Sequence, residues 1–251
     1  MSDRLPMDTL YLVHEVLRRE LRHLALTPRG DGTLRRVLRR GARWELLRQA
    51  LRTHHGAENE ALRPVLRRAL VGRPYDLALL EAMAAEHAAI ASLIGAVDEA
   101  LATPDTDPDL LGDLVHALVT GVNGHLRHAE ERVFPLIQAV LTAPQWARFR
   151  QLHARRIAGG ADTHRLLPWL LEGADEATVT AVLAPLPGPV RRAYRAAETG
   201  HGLGPGPVGP AGPVPGPTRA APTTPTTPTA PTAPTAPTTV TTVTTEQEPD
   251  R

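Results

Sequence analysis

Histidine and acidic residues recur in the same order in two stretches of the chain, THHGAENEALRP (Thr53–Pro64) and GHLRHAEERVFP (Gly124–Pro135). In each stretch a histidine, His54 or His125, precedes an acidic cluster, and a proline stands ten residues after the histidine. Imidazole and carboxylate groups bind iron, zinc and manganese. The chain has no cysteine, which excludes thiolate ligands and disulfides. The repeated pattern therefore predicts a metal site built from imidazole and carboxylate groups.

The spacing of the first stretch suits one face of a helix. Glu58 follows His54 by four residues, so both side chains project from the same side and can share a metal ion. Each stretch ends in a proline, which relaxes or ends a helix at that point. We interpret the repeat as two ligand-bearing turns, each of which delivers one carboxylate to a two-metal centre.

The second stretch does not fit a regular helix. Glu130 follows His125 by five residues, which rotates it by about 140° at 3.6 residues per turn. A local π-type widening of the helix would remove this offset. Pro135 favours such a widening because it cannot donate a hydrogen bond to the carbonyl of Glu131. His128 and Glu131, three residues apart, are the alternative pair.

Amphipathic helices are predicted to position these residues. Apolar residues recur at three- and four-residue steps after Asp8, along one stripe over residues 44–65, and after the turns GRPYD and TPDTDP. Asp8 and Thr33 are expected to cap the first two helices, and Asp107 with Pro108 to begin the fourth. Short loops make consecutive helices antiparallel, so the sequence predicts an all-α, up-down-up-down four-helix bundle.

One histidine lies within the apolar stripe of each predicted helix. These four are His14, His54, His87 and His125. A buried imidazole that lacks partners costs about 1–3 kcal/mol, and four converging imidazoles remove that cost together by binding a metal ion. His55 and His128 lie beside or one turn from this set and are substitute or supporting ligands. The other histidines are predicted at the surface or in the tail: His23, His116, His153, His164 and His201.

The composition argues against several other classes of protein. The net charge is +1 and all 28 basic residues are arginine, so we expect no nucleic-acid partner. No apolar run approaches the length of a membrane span and the N-terminal region lacks an export signal, so we expect a cytoplasmic protein without a membrane span. About half of the chain's 25 prolines lie after residue 200. We therefore predict a four-helix bundle over residues 1–145, a helical extension packed on it over 146–200, and a disordered tail rich in proline and threonine over 201–251.

Four segments of the chain resemble the hemerythrin-like family, whose members carry the HHE cation-binding domain. They are YLVHEVLRREL (Tyr11–Leu21), HHGAENEALRPVL (His54–Leu66), EHAAIASLI (Glu86–Ile94) and HLRHAEERVFPLI (His125–Ile137). The resemblance implies a non-haem di-iron centre, bridged by two carboxylates, that binds or reacts with dioxygen; zinc or manganese would fit the same ligands. Carried over residue by residue, the implied ligands are His14, His54, Glu58, His87, His125 and Glu130.

The chain departs from this family at two positions. Ala91 stands where the oxygen-carrying hemerythrins have a second histidine, one turn after the third-helix ligand. Ala129 stands where many HHE members have glutamate. The implied ligand set is therefore one imidazole short of the oxygen carriers, which leaves more coordination positions open to water, substrate or peroxide.

Three functions are compatible with these residues. The leading hypothesis is a protein that binds dioxygen, nitric oxide or iron for sensing, storage or detoxification. The missing histidine motivates an alternative, a di-iron enzyme with ferroxidase or peroxidase-like activity. The third is a metal-free helical module whose arginine-rich second helix or proline-rich tail contacts a partner.

Overall fold

The computed structural model describes residues 4–29, 32–160 and 162–200, and the regular secondary structure in these ranges is helical, without strands. The α-helices are α1 (Asp8–Leu26), α2 (Thr33–Arg40), α3 (Ala42–Ala57), α4 (Arg63–Ala69), α5 (Pro74–Ala102), α6 (Pro108–His128), α7 (Phe134–Val140), α8 (Ala143–Ala158), α9 (Thr163–Leu170), α10 (Glu176–Leu183) and α11 (Gly188–Gly200). A first π turn (Glu58–Leu62) joins α3 to α4, and a second π turn (Ala129–Val133) joins α6 to α7. The all-α prediction is confirmed.

Four rods form the bundle: α1, the α3–α4 pair with its π turn, α5, and the α6–α7 pair with its π turn. α1 packs against α3 and α6, while α5 packs against α6 and α4. Each rod therefore packs on two adjacent rods, as expected for a four-helix bundle, and α4 also contacts α7. The predicted bundle is confirmed.

The predicted helix starts are correct at one of three positions. Asp107 precedes α6, its side chain accepts a hydrogen bond from the backbone N–H of Asp109, and Pro108 is the first helical residue. Asp8 and Thr33 are instead the first residues of α1 and α2, and neither helix has a side-chain cap. The predicted caps at these two positions are wrong because both residues already have helical backbone.

A break at Gly41, which the sequence pattern did not predict, separates α2 from α3. The Gly41 backbone is extended, and its N–H donates to the carbonyl of Val37. A Cβ atom at Gly41 would lie 2.4 Å from that same carbonyl oxygen, so the backbone approach requires glycine.

The bundle histidines separate two clusters of apolar side chains. One cluster takes residues from α1 starting at Val13, from α3 up to Leu51, and from α5 starting at Ile90. The other takes Leu10 of α1, residues from the first π turn and α4, and Met83 of α5. Along each rod, the buried apolar residues before and after the predicted inward histidine belong to different clusters, and the boundary lies at that histidine or beside it. The imidazoles therefore form a polar layer across an otherwise apolar core.

The helices after residue 142 pack on two of the rods. α8 contacts α3 and the first π turn, and α9 and α10 contact α1. The division at residue 145 stays a prediction, and the predicted tail over residues 201–251 lies outside the described residues.

α5 is the one helix among the described residues that is long and apolar enough to cross a membrane by length and composition alone, with a mean hydropathy of 1.5 over its best window. Its inner face is part of the bundle, with His87 among the buried residues. Core helices of soluble proteins pass the same test, so the expected absence of a membrane span stays a prediction.

Candidate metal centre

The four stripe histidines are buried and meet in two pairs. His14, His54, His87 and His125 are 0, 1, 8 and 2 % exposed, respectively. The Nε2 atoms of His14 and His54 lie 3.1 Å apart, and those of His87 and His125 lie 3.2 Å apart. The four rods thus bring the ring nitrogens together as the apolar stripes predicted.

Glu58 lies between the two pairs and joins them. Its Oε1 is 3.6 Å from the Nε2 of His54, and its Oε2 is 3.3 Å from the Nε2 of His87. Burial raises the pKa of Glu58, but the charge of His54 and the hydrogen bond from His87 outweigh it and hold that pKa well below its usual range. The group between the imidazole pairs is therefore an ionised carboxylate.

Both ligand-bearing stretches contain a π turn. The N–H of Arg63 donates to the carbonyl of Glu58, and the N–H of Phe134 donates to the carbonyl of Ala129, a step of five residues in each case. The widening predicted for the second stretch is confirmed, and the first stretch has one as well. In both, a proline stands at the start of the following α-helix, where no N–H is available to restore the four-residue step.

Protein side chains hold the outer nitrogens of three rings. The Nδ1 of His14 donates to Glu130 at 2.8 Å, and the Nδ1 of His125 donates to Glu86 at 2.9 Å. The Nδ1 of His87 lies 3.4 Å from the amide oxygen of Asn59. A carboxylate only accepts hydrogen bonds, so the protons of His14 and His125 are on Nδ1 and their Nε2 atoms offer lone pairs. Histidines that bind metals are oriented in this way.

Each supporting carboxylate is also held by a second side chain. Arg18 donates to Glu130 at 2.8 Å, and the Nδ1 of His128 lies 2.7 Å from Glu86. Burial raises the pKa of Glu130, but the hydrogen bonds from His14 and Arg18 outweigh this and lower it to about 2. Glu130 therefore lies on the outer side of His14 as an ionised group. Its predicted role as a metal ligand stays a prediction.

His55 joins the second imidazole pair. Its ring stacks on His87, with centroids 4.0 Å apart and planes at 12°, and it lies edge-on to His125. One potential ligand atom from each of His55, His87 and His125 lies within 4.8 Å of the other two. Burial is the main cause that lowers the pKa of His55 well below its usual range, followed by the charge of His87. His55 is therefore a neutral imidazole at neutral pH.

His153 is buried, so its predicted place at the surface or in the tail is wrong. It is 3 % exposed in α8, and burial lowers its pKa to about 4. Its ring centroid lies 5.9 Å from that of His54, whose buried Nδ1 has no hydrogen-bond partner among the described residues. The signal was present in the sequence, because Trp146, Phe149, His153 and Ile157 follow the helical repeat of one buried face.

The other predicted site residues lie further from the imidazole pairs. His128 is 31 % exposed and reaches the centre only through Glu86, and Glu131 is exposed. His23, His116 and His164 are exposed as predicted, whereas His201 lies outside the described residues. Glu86 and Asn59 were not predicted. Their partners are on neighbouring helices, so no spacing within one helix identifies them.

A small cavity lies beside Glu58 and His87. Its volume is about 40 Å³, and Leu62, Leu66 and Met83 are among the apolar side chains that line it. A water molecule needs about 10–15 Å³ of such space. The cavity therefore has room for a molecule of about three heavy atoms next to Glu58 and His87.

The nitrogen pairs have the separation that a shared metal ion requires. Two nitrogens bound at about 2.0–2.1 Å to one ion lie about 2.8–3.0 Å apart at an octahedral angle and about 3.3–3.4 Å apart at a tetrahedral angle, a range of about 2.8–3.4 Å. The 3.1 and 3.2 Å separations fall in this range.

Residues 5–137 match the family model of the hemerythrin HHE cation-binding domain.

The chain belongs to the hemerythrin HHE family. The match covers the four rods from the residues before α1 into α7. It ends before α8, so His153 lies beyond the HHE domain. Comparisons with curated proteins and with solved structures found no match. Membership of the HHE family and the cluster of histidines both point to metal binding, without specifying which metal.

Proposed function

We propose that this chain is a non-haem di-iron protein that binds dioxygen, nitric oxide or peroxide for sensing, storage or detoxification. The observation that carries the proposal is the placement of two Nε2 pairs on opposite oxygens of one carboxylate, Glu58, which is only 13 % exposed. Neutral imidazoles and carboxylates suit both iron(II) and zinc or manganese. Iron is proposed because the HHE resemblance implies it.

The direct ligands in this proposal are His14 and His54 on one side of Glu58, and His87 and His125 on the other. Glu130 is the second carboxylate that the family resemblance implies. In the structure it holds His14 and Arg18 instead, so metal binding by Glu130 would require its side chain to turn away from both. Glu86 supports His125 in the way that Glu130 supports His14.

Iron bound at these ligands supplies the affinity for dioxygen, nitric oxide or peroxide. The chain's own residues orient the rings, hold the protons of His14 and His125 on Nδ1 so that their Nε2 atoms offer lone pairs, and exclude bulk water with apolar clusters on both sides of the histidine layer. The cavity beside Glu58 and His87 has room for a ligand of a few atoms. This space suits the diatomic and triatomic ligands of the proposal.

Reconstitution with iron tests the proposal. The full chain is loaded anaerobically with ferrous iron, freed of excess metal, and analysed for iron per chain and for near-ultraviolet absorption before and after exposure to air. Two irons per chain and a new absorption band after exposure are expected. One iron per chain would indicate a mononuclear site, and no retained iron would refute the proposal. The cytoplasmic location expected from the sequence stays a prediction.

A further inference from the structure

The two halves of the centre do not have equal numbers of imidazoles. His14 and His54 form one half, and no third imidazole among the described residues joins them within ligand distance of a common ion. His87 and His125 form the other half, and His55 lies against both. His55 is 8 % exposed, and its Nε2 is buried without a hydrogen-bond partner among the residues described. An imidazole nitrogen buried without a partner is unfavourable, and a bound metal ion would satisfy it.

α5 supplies one imidazole to the centre. Ala91, at the position that supplies an extra histidine in the oxygen carriers, is an exposed alanine. A third imidazole for the His87 and His125 half must therefore come from another helix. His55 of α3 is the residue in that place.

We propose that His55 is the third imidazole ligand of the half-site formed by His87 and His125. The inference rests on the proposed metal-binding function. Two nitrogens bound at about 2.1 Å to one ion can lie at most about 4.2 Å apart, and the three candidate ligand atoms already lie within 4.8 Å of one another. A small rotation of the His55 ring off the face of His87 brings its nitrogen into range.

The resulting centre is asymmetric, with three imidazoles on one side of Glu58 and two on the other. The adjacent histidines of α3 then serve different ions: His54 faces His14, and His55 faces His87 and His125. With His55 included, the centre has five imidazole ligands, although α5 supplies only one of them. The half with fewer protein ligands, at His14 and His54, keeps the open coordination positions.

Paired substitutions at His55 separate ligation from packing. His55→Phe keeps a flat ring on His87 but has no nitrogen, whereas His55→Glu removes the ring and supplies a ligand oxygen. His164→Phe, at an exposed histidine on α9, is the matched control. Anaerobic ferrous iron is titrated against a competing chelator, and far-ultraviolet circular dichroism with thermal melts of the metal-free proteins reports folding.

Wild type and His164→Phe should bind two irons per chain. In His55→Phe one iron should bind at least about 100-fold more weakly while the other is unchanged, and His55→Glu should restore two tight sites. Two irons at wild-type affinity in His55→Phe would overturn the inference while leaving the proposed function intact. An absence of iron from wild type would instead overturn the proposed function. If His55→Phe does not fold, His55→Gln and His55→Glu replace it, and equal tight binding of two irons by both overturns the inference.

Discussion

Glu130→Gln distinguishes a carboxylate that supports His14 from one that binds metal. In the structure Oε1 of Glu130 accepts from His14 at 2.8 Å and Oε2 accepts from Arg18 at 2.8 Å. Glutamine has nearly the same shape and keeps one acceptor oxygen, but it carries no charge. The substitution therefore converts a charge-assisted hydrogen bond to His14 into a neutral one.

The expected loss of metal affinity is modest. Hydrogen bonds to charged groups contribute about 1.5–3 kcal/mol and neutral ones about 0.5–1.5 kcal/mol, so the bond to His14 weakens by about 1–1.5 kcal/mol. The Glu130 side chain is only 22 % exposed, so solvent screening reduces this little. The bond to Arg18 does not act on the ligand ring. We expect affinity for one iron to fall about 5- to 13-fold, and the other iron to bind as before.

Competition titration of anaerobic ferrous iron measures both affinities. Glu86→Gln is the internal reference, because Glu86 makes the equivalent bond to His125 in the other half of the centre. The two variants should show similar losses at different ions. If Glu130→Gln loses an entire equivalent of iron while Glu86→Gln does not, Glu130 is a direct ligand, as the family resemblance implies, and the supporting role is refuted.

Three further predictions concern the centre and the helices that carry it. Glu58→Gln removes the charge shared by both imidazole pairs, so metal analysis after dialysis should find fewer than one tightly bound iron per chain; retention of two irons would contradict the bridging role. The metal-free protein should lose stability below about pH 6.5, because His153 keeps a pKa of about 4 when folded and unfolded imidazoles take up protons near 6.5. Stability then rises with pH between these values, and His153 alone accounts for up to about 2 kcal/mol between pH 6.5 and 5; equal melting temperatures at pH 7 and 5 would argue against this. Gly41→Ala should destabilise the fold by more than about 1 kcal/mol because its Cβ meets the Val37 carbonyl. In contrast, Gly95→Ala in α5, with no atom near its Cβ, should be neutral or stabilising by up to about 1 kcal/mol; equal melting temperatures for the two variants would refute this reasoning.

The bundle and the four inward histidines were predictable because each depends on the repeat within one helix. His14, His54, His87 and His125 interrupt apolar stripes, and the burial of those stripes fixes where the rings point. The second π turn was predictable for a related reason. A five-residue step that ends in a carboxylate, followed by proline, conflicts with a regular helix.

Features that depend on neighbouring helices were not predictable from spacing. Glu86 acts on a ring of α6 from its place on α5, so its role follows from helix packing. The break at Gly41 follows from a close backbone approach, whereas a glycine inside a helical pattern costs only about 1 kcal/mol and does not mark a break. His153 was missed although its helix had a clear buried face, because no partner in the sequence connected that face to the other histidines.

The π turns limit how this centre can be transplanted into another protein. Each residue of an α-helix turns the chain by about 100°, so straightening either turn into a regular helix would rotate every downstream side chain relative to the histidine before it. A designed scaffold made of ideal helices would therefore turn the buried faces of α4 and α7, with Leu66 and Ile137, away from the core, whatever loops connected them. The unit that must be copied is the bulged helix together with its proline.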